Sequence, residues 1–274
     1  MRDNAMARDT FQLTGNAAAV YEEQKVPAIF RPLAQATLEA VEIRPDERVL
    51  DAACGTGVVG REALARLSSA GSVTGFALNA GMIDVARRLT ASDAERCRWH
   101  VADVSALPFE DESFSLVFCQ QGLQFFPDED AALGELHRVL EPNGRIAMTV
   151  WAGPSDFFTS LAGALSRHVS DAVGRQSLAP FVYAGLNALP ARMSDNGFAD
   201  INIQSLTVPR ELTDPASAIP KEITGNPVGP EVLGKGPEIM AKIVRDVMAD
   251  MSDYPRGDRL VVPQLANLVI ARVC

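Results

Sequence analysis

Apolar and polar positions recur with two different periods along the first half of the chain. Short apolar runs, as found in buried strands, occupy residues 48–51, 72–78, 98–101, 114–119 and 145–151. Amphipathic patterns with helical spacing occupy residues 26–41, interrupted by Pro27 and Pro32, and residues 60–67, 80–89 and 129–140. Strands that alternate with helices through short connections predict a parallel, doubly wound α/β sheet.

The pattern changes after Trp151. Residues 157–173 and 181–194 are predicted to be helical, and residues 201–208 and 266–273 alternate like strands. Between these two strands lie a Pro/Gly-rich stretch at 215–237, predicted to be a loop, and a helix at 238–251. We expect a flexible N-terminal segment at 1–19 and one domain over 20–274. Its ligand-binding core spans 20–151, and residues 152–274 complete the sheet and cover the ligand crevice.

Composition narrows the class of protein. A length of 274 residues suits one embellished α/β domain, and a net charge of −10 disfavours nucleic acid as a partner. The apolar runs fall short of the ~20 residues that span a bilayer, and the start of the chain has no secretory pattern. None of the four cysteines lies in a CxxC pair, so neither a metal site nor a disulfide framework is expected. These features favour a cytoplasmic protein, monomeric or homodimeric.

A glycine-rich turn follows the first predicted strand. The segment VLDAACGTGVVG places Gly55, Gly57 and Gly60 in GxGxxG spacing at the start of a helix. This spacing alone suits NAD, FAD or S-adenosylmethionine (SAM). Asp51 at the strand end would repel a pyrophosphate but attract the α-ammonium of a methionine moiety, which favours SAM. The alternative is that Asp51 only caps the turn or the next helix.

Four segments, in this order, resemble the class I SAM-dependent methyltransferases, especially the ubiquinone/menaquinone-type (type 11) group. They are VLDAACGTG, VTGFALNAGMIDVAR, VADVSALPFEDESFSLVFCQQGLQFFPD and ELHRVLEPNGRIAMTVW. The resemblance covers about residues 20–151. It implies a Rossmann-like, doubly wound and mostly parallel seven-stranded sheet, with helical insertions over the crevice. It also implies SAM as the cofactor and methyl transfer as the reaction.

The resemblance assigns roles to individual positions. Those expected to bind the cofactor are Asp51, Ala53, Gly55, Thr56, Gly57, Ala77, Leu78, Met82, Ala102, Asp103, Val104 and Gln120. Those expected at the substrate are Tyr21, Gln121, Gln124, Phe125, Trp151, Phe157 and Phe158. Asp103 would accept a hydrogen bond from the adenine amino group, and its alternative role is to form a turn.

One position departs from the family pattern. The acidic residue that binds the ribose hydroxyls is expected at the end of the second strand, where this chain has Ala77. A lost charge-assisted hydrogen bond costs roughly 1.5–3 kcal/mol, about 10- to 100-fold in affinity. Three interpretations stay open: weak binding, replacement by Asn79 or another polar group, or a site put to a different use.

The expected acceptor side is aromatic and offers no obvious general base. His137 and His168 fit better as structural residues, and Gln124 stands where many relatives have histidine. We therefore predict a small, largely apolar acceptor, such as a quinone-like ring, a lipid or a secondary metabolite. The alternative is a SAM-binding protein that does not methylate, namely a cyclase, a decarboxylase or a binding module. A dinucleotide-dependent oxidoreductase is a weaker third hypothesis, because of Asp51 and Ala77.

Overall fold

A computed structural model describes residues 17–274, which form an eight-stranded sheet in the order β3-β2-β1-β4-β5-β8-β6, with the short β7 paired to β8. The strands are β1 (Arg48–Ala52), β2 (Ser72–Ala77), β3 (Cys97–Val101), β4 (Phe114–Gln120), β5 (Leu140–Trp151), β6 (Phe198–Thr213), β7 (Pro255–Arg256) and β8 (Arg259–Val273). Strands β1 to β5 are parallel, and β8 runs antiparallel to both β5 and β6. The predicted doubly wound α/β fold is confirmed, and β7 is an additional strand of two residues.

Helices cover both faces of this sheet. They are α1 (Ala17–Val20), α2 (Arg31–Ala40), α3 (Val58–Leu64), α4 (Ala80–Leu89), α5 (Glu129–Arg138), α6 (Asp156–His168), α7 (Asp171–Ser177), α8 (Leu189–Asp195), α9 (Pro215–Thr224), α10 (Gly229–Gly234) and α11 (Pro237–Asp250). Helices α2, α3 and α4 pack on one face, and α5 and α8 on the other. Helices α6 and α9 to α11 form a third core with the ends of β6 and β8. None of the helices in residues 17–274 is long and apolar enough to cross a membrane.

The strand order creates a switch point between β1 and β4. After β1 the chain moves outward through β2 to the edge strand β3, and it then returns to add β4 on the other side of β1. The crossover connections therefore leave β1 and β4 toward opposite faces, which opens a crevice at the carboxyl ends of these strands. This topology positions the candidate site.

The N-terminal helical region is longer and more continuous than predicted. A π-helix, Tyr21–Phe30, joins α1 directly to α2, so that helical backbone runs from residue 17 to residue 40. Pro27 lies inside the π-helix and Pro32 in the first turn of α2, where a missing N–H is tolerated. The prediction that both prolines interrupt the helix is therefore wrong. Residues 1–16 of the predicted N-terminal segment lie outside the described residues.

The region after Trp151 departs most from the sequence-based prediction. The expected loop at 215–237 contains α9 and α10, each with a proline in its first turn. The predicted helix at 157–173 is two helices, because Ser170 caps a new one by accepting a hydrogen bond from the Val173 N–H. In the predicted helix at 181–194 only Leu189–Asp195 is α-helical. Strands β6 and β8 are also longer than predicted, since they pair with each other along most of their length.

Candidate active site

A cavity of about 230 Å³ lies in the crevice at the switch point. Residues predicted to bind SAM that line it are Asp51, Ala53, Gly55, Met82 and Gln120, and residues predicted to contact the acceptor are Tyr21, Gln121, Gln124, Phe125 and Trp151. Phe30, Cys54, Val58, Val59 and Pro180 complete its walls. The fold therefore brings the carboxylate and the substrate-side residues to one enclosed space.

Asp51 is a buried carboxylic acid beside this cavity. Its side chain is 1% exposed, and Oδ2 accepts a hydrogen bond from the Gly60 N–H at 2.8 Å. Burial raises the pKa of Asp51 to about 7, although the Gly60 N–H and the Arg61 charge act in the opposite direction. One carboxylate oxygen therefore caps the first turn of α3, which is the alternative role expected of Asp51 from the sequence. A buried carboxylate next to a cavity is a favourable position for a cation.

Glycine is required at the three positions of the turn for different physical reasons. Gly55 and Gly57 have φ of +56° and +80°, a region that glycine adopts without strain. A side chain at Gly57 would also place Cβ 2.4 Å from the Trp99 ring, and one at Gly60 would place it 2.9 Å from the same ring. Among the three, Gly55 lines the cavity. Close packing against Trp99, and not a close approach of the ligand, therefore requires glycine at positions 57 and 60.

Trp99 was not identified from the sequence. Its indole lies beneath the glycine turn, and its Nε1–H donates a hydrogen bond to Thr90 Oγ1 at 2.8 Å. A Cβ built on Gly75 of β2 would lie 2.2 Å from this ring as well. A glycine inside a strand often marks a close approach by another group. Gly75 was therefore the feature of the sequence that could have indicated a large side chain packed against β2.

Three glutamines surround the cavity at and after the end of β4. The Gln120 Nε2–H donates to the Phe30 carbonyl at 3.1 Å, and the Gln124 Nε2–H donates to the Pro180 carbonyl at 2.9 Å. Because a carbonyl only accepts, these contacts fix the orientation of both amides. Gln121 has φ of +57°, and its Nε2–H donates to Thr149 Oγ1 at 3.4 Å. The Oε1 atoms of all three are buried and have no hydrogen-bond partner within the described residues.

Aromatic side chains enclose the remaining side. Tyr21 stacks on Phe30 with ring centroids 5.2 Å apart, and Phe30 lies 6.3 Å from Trp151. Burial raises the pKa of Tyr21 far above its usual value, so its phenol stays protonated at neutral pH. Among the described residues that line the cavity, none is histidine. The side chains that line the cavity therefore supply an aromatic surface and amide groups, and Asp51 is the one carboxylate among the described lining residues.

Two predicted acceptor contacts lie elsewhere. Phe157 and Phe158 are buried in the core formed by α6, β6 and β8, at 0% and 3% exposure. The Phe158 ring packs on Phe181 with ring centroids 4.1 Å apart, and neither residue lines the cavity. The apolar face of α6 points into this core, which is why the structure places both side chains there and not in the cavity wall.

Of the positions predicted for ribose and adenine, Met82 lines the cavity, whereas the others do not; these are Ala77, Leu78, Ala102, Asp103 and Val104. Ala77 ends β2 and is buried, whereas Leu78 is 57% exposed. Asp103 Oδ1 accepts hydrogen bonds from the N–H and the hydroxyl of Ser105, so this oxygen stabilises a turn of the backbone at residues 103–105. Ala102 and Val104 flank it, and the buried Thr56 follows Gly55 in the glycine turn.

Asn79 does not lie on β2 beside Ala77, because the strand ends at Ala77. Its Oδ1 accepts a hydrogen bond from the Met82 N–H at 3.1 Å and caps α4. Asn79 therefore does not share a strand face with Ala77, and its Oδ1 is engaged in capping α4. The buried Asp51 carboxylate is chemically suited to the α-ammonium of SAM, and the position expected for the acid that binds the ribose is Ala77.

Restoring that partner is expected to strengthen SAM binding. In Ala77→Asp the carboxylate would stand at the end of β2 and accept hydrogen bonds from the ribose hydroxyls, which tightens SAM by about 10- to 100-fold. Calorimetric titration with SAM measures the change. Ala77→Asn, of nearly the same size but neutral, is the matched control and should gain much less. Equal or weaker affinity in Ala77→Asp would contradict the assigned ribose position.

Comparisons with known proteins agree with this geometry. Residues 49–144 match a family model described as a methyltransferase domain. A ubiquinone/menaquinone biosynthesis C-methyltransferase UbiE of Xanthomonas oryzae pv. oryzae is 34% identical over 185 residues, 61% of this chain and 71% of the relative. The corresponding protein of Geotalea daltonii is 32% identical over 119 residues, 43% of this chain and 51% of the relative. The chain thus spans about half the length of that second relative.

The fold has counterparts among solved structures. Phosphoethanolamine N-methyltransferase 2 of Haemonchus contortus, in complex with S-adenosyl-L-methionine, superposes with a TM-score of 0.59 at 21% identity. The match covers 97% of this chain and 58% of that one. At this identity the likeness concerns the fold alone.

Proposed function

Because the chain belongs to the class I SAM-dependent methyltransferases, in the group of the ubiquinone/menaquinone enzymes, we propose that its acceptor is a small aromatic ring bearing hydroxyl groups, a hydroquinone or a phenol. The predicted family, fold, methyl donor and reaction are confirmed, and the relatives give no support to the non-methylating alternative. The observation that carries the proposal is the cavity in which the buried Asp51, an aromatic wall and unpartnered amide oxygens meet.

The methionine end of SAM belongs at Asp51. The ionised carboxylate would pair with the α-ammonium, while the backbone at Ala53 and Gly55 lies against the same space. SAM supplies an electrophilic methyl group on its sulfonium. Gln120, at the end of the central strand β4, stands between this end of the cavity and the aromatic wall.

The amide oxygens favour an acceptor that donates hydrogen bonds. One Nε2–H of Gln120 and one of Gln124 are held by carbonyls, which fixes both amides and leaves each with an Oε1 atom that accepts and cannot donate. A buried acceptor without a partner is costly, and a phenolic O–H would satisfy it. A quinone offers only carbonyl oxygens, so it would meet these atoms acceptor to acceptor. The reduced ring is therefore the form that this cavity favours.

The transfer itself needs positioning more than acid–base chemistry. Methyl transfer from a sulfonium is an in-line displacement, for which a site chiefly supplies proximity, alignment and exclusion of water. Tyr21, Phe30 and Trp151 would hold the ring and keep water out. A hydroxyl that donates to Gln124 Oε1 leaves more electron density on its oxygen and on the ring, which favours attack on the methyl group. As the acceptor forms its bond to the methyl carbon, the methyl–sulfur bond breaks, S-adenosylhomocysteine leaves with that electron pair, and the proton that the acceptor loses passes to solvent.

Labelled methyl transfer tests the acceptor class. We expect transfer from SAM into naphthohydroquinone and not into the matching naphthoquinone. Gln124→Leu removes one oriented oxygen and should raise KM for the hydroquinone by about tenfold, the size of one hydrogen bond to a neutral partner. Its Kd for SAM should stay unchanged.

Gln204→Leu, at an exposed position of β6, is the matched control and should leave both constants unaltered. Equal labelling of quinone and hydroquinone, or an unchanged KM in Gln124→Leu, would contradict the assigned acceptor chemistry.

A further inference from the structure

An arginine occupies a core position of β6. Along this strand Val208, Arg210 and Leu212 are buried at alternate positions, and Arg210 is 4% exposed. Its neighbour across the sheet is Val262 of β8, which is fully buried. An apolar side chain would fill this position without the desolvation that a charge incurs. The presence of a guanidinium here therefore calls for a function.

The hydrogen bonds of Arg210 are incomplete. Its guanidinium carbon lies 4.5 Å from the centroid of the Phe158 ring, a cation–π contact. Glu222 Oε2 is 3.6 Å from Nη1, beyond hydrogen-bond distance, and Nε and Nη1 have no hydrogen-bond partner within residues 17–274. Two donors of a buried cation are thus available to a ligand.

The surrounding charges leave a positive excess. Glu222 forms a close ion pair with Lys25 of the π-helix and is the carboxylate nearest to Arg210. Burial raises the pKa of Glu222, but the charges of Lys25 and Arg210 outweigh it and hold that pKa below its usual range. One carboxylate therefore faces two cations, which leaves one positive charge uncompensated in a buried cluster.

A cavity of about 410 Å³ adjoins this cluster, and its charged lining residues are four cations, Lys25, Arg210, Lys221 and Arg259, and three carboxylates, Glu23, Glu211 and Glu222. We call it the basic cavity. We propose that the basic cavity binds a carboxylate or phosphate group, which accepts hydrogen bonds from the unpaired donors of Arg210 and balances its charge. An oxyanion of a single charge completes the cluster, and guanidinium is well suited to bind it.

The basic cavity lies behind the wall of the active site. Lys25 belongs to the same π-helix as Tyr21 and Phe30, which line the cavity at Asp51. A third cavity, of about 230 Å³, is lined by Tyr21, Lys25 and Lys221 among others. The bound oxyanion is therefore either a distant part of the acceptor or a separate small anion.

Thermal unfolding of the full chain tests the site without any methyl transfer, so its outcome does not depend on the proposed function. Inorganic phosphate and acetate are titrated against chloride at constant ionic strength. We expect a saturable rise in Tm of about 3–5 °C with at least one oxyanion. Arg210→Met should abolish that rise, and its fold is expected to persist, because Lys25 and Glu222 remain paired and methionine suits the core.

Lys221→Met, at an exposed position, gives a second variant whose folding is not in question, and its response should be weaker than that of the wild type. Phosphate also stabilises proteins non-specifically. That contribution is the part of the rise in Tm that phosphate still produces in Arg210→Met. Equal rises in the wild type and in Arg210→Met, or no rise with either oxyanion, would overturn the proposal.

Kinetics distinguish the two sources of the anion. Phenolic acceptors of matched size, with and without a carboxylate, are compared in the wild type and in Arg210→Met. If Arg210→Met raises KM at least tenfold over the wild type for the carboxylated acceptor, and not for the acceptor without a carboxylate, the oxyanion is part of the acceptor. Unchanged KM values, together with the loss of the Tm response, assign it to a separate anion.

Discussion

Replacing Asp51 with asparagine is expected to abolish useful SAM binding and, at pH 8, to make the unliganded protein more stable. The amide keeps a carbonyl for the Gly60 N–H, so the start of α3 is preserved. It cannot pair with the α-ammonium, and loss of this charge-assisted contact weakens SAM by about 100-fold. Calorimetric titration with SAM and thermal unfolding measure the two effects.

The stability change follows from the pKa of Asp51, which burial raises to about 7. An unfolded aspartate has a pKa of about 3.9, so the folded state holds this proton more tightly. The contribution of Asp51 to the free energy of unfolding is therefore present below about pH 4 and is lost as the pH rises to about 7. The asparagine variant has no such loss, because its amide does not titrate, and it therefore gains stability over the wild type at pH 8.

The same pKa predicts how SAM affinity depends on pH. Asp51 must lose its proton to pair with the cation, so Kd for the wild type should rise by up to about tenfold per unit below pH 7. The Asp51→Asn variant should lack this slope. Asp46→Asn, an exposed aspartate just before β1, is the control and should resemble the wild type. A Kd for Asp51→Asn within threefold of the wild type would exclude the assigned role.

Gly75→Ala is expected to destabilise the protein by about 3 kcal/mol, at the upper end of the cost of an overpacked core. The new Cβ would lie 2.2 Å from the Trp99 ring, and that ring is also confined by Gly57 and Gly60. Because three neighbours enclose the indole, it cannot move aside for the methyl group. Urea unfolding, monitored through its midpoint and slope, gives the free energy.

A double-mutant cycle identifies the cause. Trp99→Leu alone leaves a cavity and destabilises, but in the Gly75→Ala background it also removes the clash, so the two changes should be far from additive. The same replacement should rescue Gly57→Ala only in part, since the positive φ remains unfavourable for alanine. Gly234→Ala, where no atom lies within 4 Å of the new Cβ, is the matched control. Additive effects of Gly75→Ala and Trp99→Leu would exclude a clash with the indole.

The sequence was most informative where the hydrophobic pattern repeats with the period of a strand or a helix, and at the carboxyl ends of the strands. The apolar runs predict the five parallel strands, and Asp51, Tyr21 and Trp151, which we expect around one ligand crevice, line one cavity. The shared position of Asp51 and Trp151 rests on topology, because parallel strands bring their carboxyl ends to the same edge of the sheet.

The remaining features depend on long-range packing. Pro215 and Pro230 are typical of a loop, but a proline also starts a helix, and the surrounding core decides between the two. The positions of Phe157 and Phe158 depend on which face α6 turns inward. The role of Trp99 and the burial of Arg210 depend on neighbours far away in the chain, which no local pattern contains.

The helical segment over the crevice has a consequence for the rate of turnover. Sites for small molecules usually measure about 300–1,000 Å³, and the enclosed space beneath Tyr21 and Phe30 is smaller, at about 230 Å³. The methionine end of the donor and the acceptor would share this space, so we expect the π-helix to move outward as both bind and again as the spent donor leaves. Opening of this segment, and not the displacement at sulfur, is then expected to limit kcat. Under such a limit the measured rate would depend on solvent viscosity and hardly on isotopic substitution of the methyl hydrogens.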